Sequence, residues 1–265
     1  MIELYDNPVS TSAQKVRLVL AEKGLDFKSH VLNLQTGEQF APTFLQINPS
    51  AQVPALLHDG HTIIESNIIC EYLDDVFPEP PLRPTDPYER AVMRGWTEQT
   101  ISWCITMINN INVGIVFAPM VKSQKTPEEV QAQINAVPNL TQRERQRLLY
   151  EEEAGSPYVA HAIQRYYEFI RTMDSAIAEN GLWLAGNSFS LADTSVFPYV
   201  NRLHDLHWEK MWQGRDAYFD WYERMKARPS FKQVIGDVVP PPAIEFAQKC
   251  SNDAMGQLQK VFDRL

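Results

Sequence analysis

The sequence predicts a small α/β unit followed by an all-helical one. Three observations carry this expectation. Strand-like and helix-like segments alternate through the first 76 residues. A proline-rich stretch, FPEPPLRPTDP (77–87), then breaks the pattern. From 88 to 235 the apolar residues recur at helical spacing and strand candidates are few.

The first unit reads in order as follows. Ile2-Glu3-Leu4-Tyr5 alternates and forms a short strand, which Asp6-Asn7-Pro8 ends. Ala13, Val16, Val19 and Leu20 predict a helix from Ser12 to Lys23, with Gly24 as its stop. FKSHVLNL (27–34) suits a second strand, and 37–48 a loop with a short helix. Val53–Leu57 and Thr62–Ile64 are further strands, and Asp59-Gly60 between them is a hairpin turn signal. Ser66 then caps a helix carrying Ile68, Ile69, Tyr72 and Leu73.

Beyond the prolines, ERAVMRGWTEQTISWCITMI (89–108) gathers its apolar residues on one face, as do 158–179 and 189–204. Residues 119–157 are more polar and read as an excursion between helices. Pro240-Pro241-Pro242 ends the last helix of this part. The weakly amphipathic remainder reads as either a terminal helix or a loose tail. The expected division is 1–80, 88–240 and a tail of 241–265.

Composition narrows the function classes. A net charge of −9 with no run of four basic residues argues against nucleic acid as a partner. Cys70, Cys104 and Cys250 lie far apart, so neither a disulfide framework nor a metal spacing is expected, and a reducing, cytoplasmic setting follows. The N-terminus lacks a signal-peptide pattern, and no stretch of about 18 apolar residues is expected to cross a membrane. His204 and His207, three residues apart on one helix face, read as surface or core histidines, so no metal is expected there.

Three short motifs carry chemistry. Ser10, Thr11 and Ser12 precede the first helix, where hydroxyls serve as a cap or hold an anion. Val53-Pro54 leads straight into a strand, a place for a loop proline or for a cis bond that bares backbone groups to an extended peptide. Glu65-Ser66 opens a helix, where it serves as a cap or anchors a head group carrying both an ammonium and a carboxylate.

Together these stretches, NPVSTSAQKVRLVLAEKGLDF, NPSAQVPALLHDG and IIESNIICEYLDDVFP, resemble the thioredoxin-like domain of the cytosolic glutathione transferases. NSFSLADTSVFPYVNRL resembles the buried capping-box helix of their all-α domain, with Ser190 and Asp193 at S-x-x-D spacing. The start of the chain is similar to phi-type and bacterial phi-like members. HDGHTIIESNIICEYLDDVFPEP and LRPTDPYERAVMRGWT are similar to the bacterial lignin β-etherases of that superfamily.

The resemblance implies glutathione as co-substrate, a small hydrophobic aromatic electrophile, and a homodimer. Ser10 falls where phi members place the thiol-activating serine. Gln39 falls near the glycine carboxylate, and Gln52, Val53 and Pro54 fall along the cysteinyl backbone. Glu65 and Ser66 fall at the γ-glutamyl end. Phe40 departs from the basic residue that phi members often hold there. Trp96, Trp103, Met107 and Ile111, with Thr100 and Asn110, form an aromatic and Met-rich stripe. Such a stripe is more often core than pocket, and some of this set is expected to line the electrophile pocket, with Tyr199, Trp208 and Trp212 as candidates to close its far side. A disulfide reductase would need a cysteine among residues 10–12, and none is present.

One hydroxyl is sufficient for the chemistry. A thiol with a pKa near 8.5 is only about 3% ionised at neutral pH, and lowering it to about 6.5 takes about 2.7 kcal/mol. A hydrogen bond to a charged group supplies about 1.5–3 kcal/mol, and a helix N-terminus adds about 0.3–2. Magnitude alone does not choose among Ser10, Thr11 and Ser12; the family position favours Ser10, with Ser12 as the cap.

Overall fold

The computed structural model describes residues 1–34, 36–137 and 139–265. Its single sheet has the order β2-β1-β3-β4, built from β1 (Ile2–Asp6), β2 (Lys28–Val31), β3 (Ala55–His58) and β4 (His61–Ile64). β1 and β2 run parallel because α1 (Thr11–Glu22) makes the crossover between them. β3 lies antiparallel to β1 and to β4. Asp59 and Gly60 both have positive φ (48° and 84°), which a two-residue turn with His58 facing His61 requires. The sheet is the expected thioredoxin-like one, and among the described residues the other regular elements are helices and helical turns. A short helix, α2 (Pro42–Leu45), precedes β3, and α3 (Ser66–Val76) packs against α1.

The helical part begins with α4 (Pro87–Gln99) and runs on through α5 (Ile105–Asn112) to α6 (Ala118–Gln124), with π-helical turns at Thr100–Cys104 and Val113–Phe117. By length and composition this run is apolar enough to cross a membrane, contrary to the sequence reading. Half of its apolar window is buried in the fold. Cys104, Ile108, Ile111, Ile115 and Ala118 form one inward stripe at three- and four-residue spacing, as in a core helix.

The supposed excursion of 119–157 is also helical. α7 (Pro127–Asn135) starts at a capping box of Thr126 and Glu129, and α8 (Leu140–Glu152) is capped by Asn139. These helices read as polar because their outer faces are solvated, while Ala118, Val130, Ile134 and Tyr150 form a small core of their own. α9 (Pro157–Asn180), α10 (Leu191–Asp205), α11 (Asp216–Lys226) and the short α12 (Pro229–Phe231) follow. The tail forms α13 (Pro241–Phe262), which buries Ala247, Ser251, Ala254, Leu258 and Phe262.

The chain makes two compact units. The first holds 1–101, 174–199 and 216–240, and the second holds 102–173, 200–215 and 241–265. In the first unit α1 packs against α3, α12 and the turn at Lys232–Gly236. The Glu22 carboxylate takes two hydrogen bonds from the Arg228 guanidinium, at 2.7 and 2.6 Å. Asp193, fully buried at the start of α10, accepts from the backbone of Leu184 (3.1 Å) and Ser190 (3.0 Å) and from Trp221 Nε1 (2.8 Å). Burial nevertheless pushes its carboxyl up to about 6.

In the second unit, Trp208 Nε1 donates to Ser251 Oγ at 2.8 Å, and Ser251 Oγ donates to the Leu206 carbonyl at 3.0 Å. Gly114 sits where an added Cβ would fall 2.5 Å from a Val159 methyl and 2.9 Å from the Glu153 carbonyl, so only glycine fits there.

Candidate active site

Strand register brings the expected motifs to one end of the sheet. Tyr5, near the end of β1, pairs with Ala55, the first residue of β3, and Ala55 pairs with Ile64, the last residue of β4. The loop to Ser10, the Val53-Pro54 step and the Glu65-Ser66 pair therefore leave the sheet side by side, one strand spacing of about 4.8 Å apart. β2 is parallel to β1, so Val31 and the following loop to Gln39 leave at the same end.

The loop after β1 is pinned by its own polar groups. Asn7 Nδ2 donates to the Leu32 carbonyl at 2.9 Å, and Asn7 Oδ1 accepts from Val9 N at 3.1 Å. Ser10 N donates to the Asn7 carbonyl at 3.0 Å, and Gln14 Nε2 to that of Pro8 at 2.8 Å.

The three hydroxyls take different roles, and the cap differs from expectation. Ser10, not Ser12, is the N-cap of α1: it has extended backbone (φ −76°, ψ 117°), and its Oγ accepts from Ala13 N at 3.4 Å. The helix starts earlier than predicted because Thr11 is already helical and buried. A capping oxygen uses a lone pair, so the Ser10 hydroxyl proton stays available to a neighbouring anion. Ser12 instead pairs with the Tyr199 phenol at 3.2 Å.

α3 opens differently. Its N-cap position is Glu65, at φ 68°, and Ser66 is the first helical residue, so Ser66 is not the cap the sequence suggested. No side chain caps this end, whereas α1, α4, α7 and α8 all have one. The first-turn N–H groups of α3 are thus left for a ligand, and a helix N-terminus favours an anion. Glu65 is exposed beside them.

The Val53-Pro54 bond is cis, as the sequence suggested. Asn48, buried ahead of it, shapes the approach: its Nδ2 donates to the Gln52 carbonyl at 2.8 Å and its Oδ1 accepts from Ser50 N at 3.0 Å. Val53 is half-buried and the Gln52 side chain exposed.

Residues 1–75 match the family model described as glutathione S-transferase, N-terminal domain, and 144–224 the model described as glutathione S-transferase, C-terminal domain. The chain is 32% identical to Protein LigF of a Sphingobium species over 249 residues, 88% of this chain and 93% of the relative. The chain belongs to the glutathione S-transferase family. It is also 28% identical to glutathione S-transferase TCHQD of Arabidopsis thaliana over 240 residues, covering 89% of this chain and 90% of that one. Among solved structures it is similar to the β-etherase LigF from Sphingobium sp. strain SYK-6, with a TM-score of 0.77, 29% identity, and coverage of 89% of this chain and 99% of that one. It is likewise similar to glutathione transferase F7 from Populus trichocarpa, with a TM-score of 0.70, 25% identity, and coverage of 90% and 99%.

In this transferase Gln39 sits in a short 3₁₀ turn (Glu38–Phe40), half-buried, with its Nε2 3.4 Å from the Leu34 carbonyl and its buried Oε1 without a hydrogen-bond partner. Phe40 is 62% exposed. Of the residues expected around the electrophile, Trp96 is buried in the first unit, and Ile111 is buried in the second on the stripe it shares with Cys104 and Ile108. Trp103 and Met107 are half-buried. The Trp103 ring meets Phe169 edge-on at 5.0 Å, and the Arg165 guanidinium lies 4.8 Å over it.

Tyr199, Trp208 and Trp212 are also buried. The two tryptophans are core packing rather than pocket wall: Trp208 bonds Ser251, and Trp212 stacks on His204 at 3.7 Å. His207 pairs with Gln248. Among the described residues no group of three or more His, Cys, Asp or Glu is placed to hold a metal.

Sequence reasoning missed Lys15 and Asn67, which with Thr100, expected instead at the electrophile pocket, form a buried polar cluster of the first unit. Each reads in isolation as an ordinary polar position on a helix.

Proposed function

We propose that this transferase uses the glutathione thiolate to cleave a β-aryl ether next to a ketone. The sulfur attacks the carbon bearing the ether oxygen; the C–S bond forms as the C–O bond breaks, and the pair leaves with a phenolate. Glutathione is consumed and emerges as a thioether. Its similarity to LigF along nearly the whole of both chains supports the choice of reaction.

The register at the sheet end supports the mode of binding. Read from β4 to β2, that end offers the open N-terminus of α3 with Glu65, the Val53 backbone, the Ser10 hydroxyl, and the loop of Gln39. Glutathione offers, in the same order, a zwitterionic γ-glutamyl group, a cysteinyl backbone with its thiol, and a glycine carboxylate. An extended tripeptide at about 3.3–3.6 Å per residue covers about two strand spacings of about 4.8 Å, enough to run from the end of β4 to that of β1, with the Gln39 loop beyond it. Trp103 and Met107, which keep some exposure, are the proposed apolar contacts for the electrophile. A cytoplasmic homodimer is the proposed working form, as the family resemblance implies.

Conjugation of halogenated aromatics and reduction of peroxides draw on the same thiolate, and a non-catalytic ligand carrier would share the fold. A glutathione-binding measurement followed by turnover of chlorodinitrobenzene, a peroxide and a β-aryl ether ketone separates them. Phenol release equal to glutathione consumed is the expected result. Turnover of the peroxide alone would discard the etherase reading, and no glutathione binding at millimolar concentration would discard the enzyme reading.

A further inference from the structure

Lys15 lies on α1, five residues beyond Ser10, and is fully buried. A buried lysine is rare, because its ammonium must be taken out of water. Its Nζ donates to Asn67 Oδ1 and to Thr100 Oγ1, the latter at 3.2 Å. Asn67 directs its other amide atom, Nδ2, to the Thr97 carbonyl at 2.7 Å. The Thr100 hydroxyl, 2.6 Å from the same carbonyl, donates there while it accepts from Lys15.

These partners are one-sided. An ammonium only donates, so it selects the oxygen of the Asn67 amide; a carbonyl only accepts, so it selects the nitrogen. The Asn67 side chain is thereby held in one of its two orientations. Asn67 directly follows Ser66 in the first turn of α3. One buried cation therefore connects the helix of Ser10, the open N-terminus of α3 and the end of α4. Stability alone is a poor reason to keep it, because an apolar residue of similar volume often serves a core as well or better.

We infer that Lys15 is a positioning residue for glutathione: it fixes the Asn67 amide, and through it the first turn of α3, so that Glu65 and Ser66 meet the γ-glutamyl end. This rests on the assignment of Glu65 and Ser66 proposed above.

The test compares glutathione with cysteinylglycine, which lacks the γ-glutamyl group. Both are titrated calorimetrically against the wild-type chain, Lys15→Met and Thr100→Val, with circular dichroism as the check on folding. Lys15→Met keeps the apolar stem and removes the charge. It is expected to weaken glutathione about tenfold and to leave cysteinylglycine within about twofold. Thr100→Val removes one acceptor of the ammonium and is expected to give a selective loss of about threefold; it carries the test if Lys15→Met does not fold. Equal loss on both ligands in both variants, or no loss, overturns the role of Lys15. If the wild-type chain holds the two ligands equally, the Glu65–Ser66 assignment itself falls and this inference with it.

Discussion

The Ser12 hydroxyl lies 3.2 Å from the phenol oxygen of Tyr199, 187 residues away along the chain. Ser10, two residues earlier, caps α1 and keeps its proton for another partner. The two serines therefore separate experimentally. Ser12→Ala is expected to lower unfolding free energy by about 1 kcal/mol, the worth of one hydrogen bond. It should leave the ionisation of bound glutathione unchanged. Denaturant unfolding and thiolate absorbance measure the two effects; a shifted thiol titration in Ser12→Ala would move the activating role to Ser12.

Asp193 makes stability depend on pH. Its carboxyl is pushed up to about 6 by burial, against an ordinary 3.8, so the folded chain holds this proton more tightly than the unfolded one. The contribution is most favourable below the unfolded value and is lost as pH rises through the folded one. A shift of about 2 units corresponds to about 3 kcal/mol. In Asp193→Asn this slope disappears. The stability advantage of the wild-type chain over the variant should narrow by about that amount between about pH 4 and pH 7, as read by urea unfolding. A constant or widening advantage would contradict the burial argument.

The cysteines should differ in reactivity. Burial pushes the Cys70 thiol up to about 12, and Cys104 is equally enclosed, whereas Cys250 is half-exposed. Thiolate is the reactive form, so a thiol reagent at mildly alkaline pH is expected to modify the native chain at Cys250 and to reach the others only on unfolding. Mass spectrometry of the labelled native protein checks this; modification of Cys70 without unfolding would show that the first unit opens locally.

The readable parts of the fold were those set by local chemistry. Asp59-Gly60 predicts a hairpin because both residues tolerate positive φ, and the turn is there. Gly24 ends the first helix for the same reason, at φ 63°. The all-helical second part was legible from apolar spacing. The failures were tertiary. The spacing of Ala13, Val16 and Leu20 puts Lys15 on no apolar face, yet α1 is covered on several sides and Lys15 is enclosed. Trp208 and Ile111, expected around the electrophile pocket, are buried in the core, because a hydrophobic side chain does not declare which side of a helix will be covered. Residues 119–157 read as irregular because their charge is high, although Thr126 and Asn139 mark two helix starts in the sequence itself.

At the site, residue types were legible and their backbone roles were not. Glu65-Ser66 was visible as a helix start. That Glu65 stands at positive φ and leaves α3 without a side-chain cap is a property of the folded backbone that residue types do not display. The cap of α1 lies two residues earlier than the apolar pattern suggests, which places capping and thiol activation on the same residue.

That coincidence gives the central claim its most direct test, the titration of glutathione thiolate bound to three Ser10 variants. Ser10→Ala is expected to lose both roles, with about 1 kcal/mol less stability and a bound-thiol pKa raised by about one unit or more. Ser10→Asp should keep the cap and the stability but raise the thiol pKa, because a carboxylate repels the thiolate. Ser10→Thr should keep both. A bound-thiol titration identical in Ser10→Ala and the wild-type chain would contradict the claim that this hydroxyl holds the reacting sulfur.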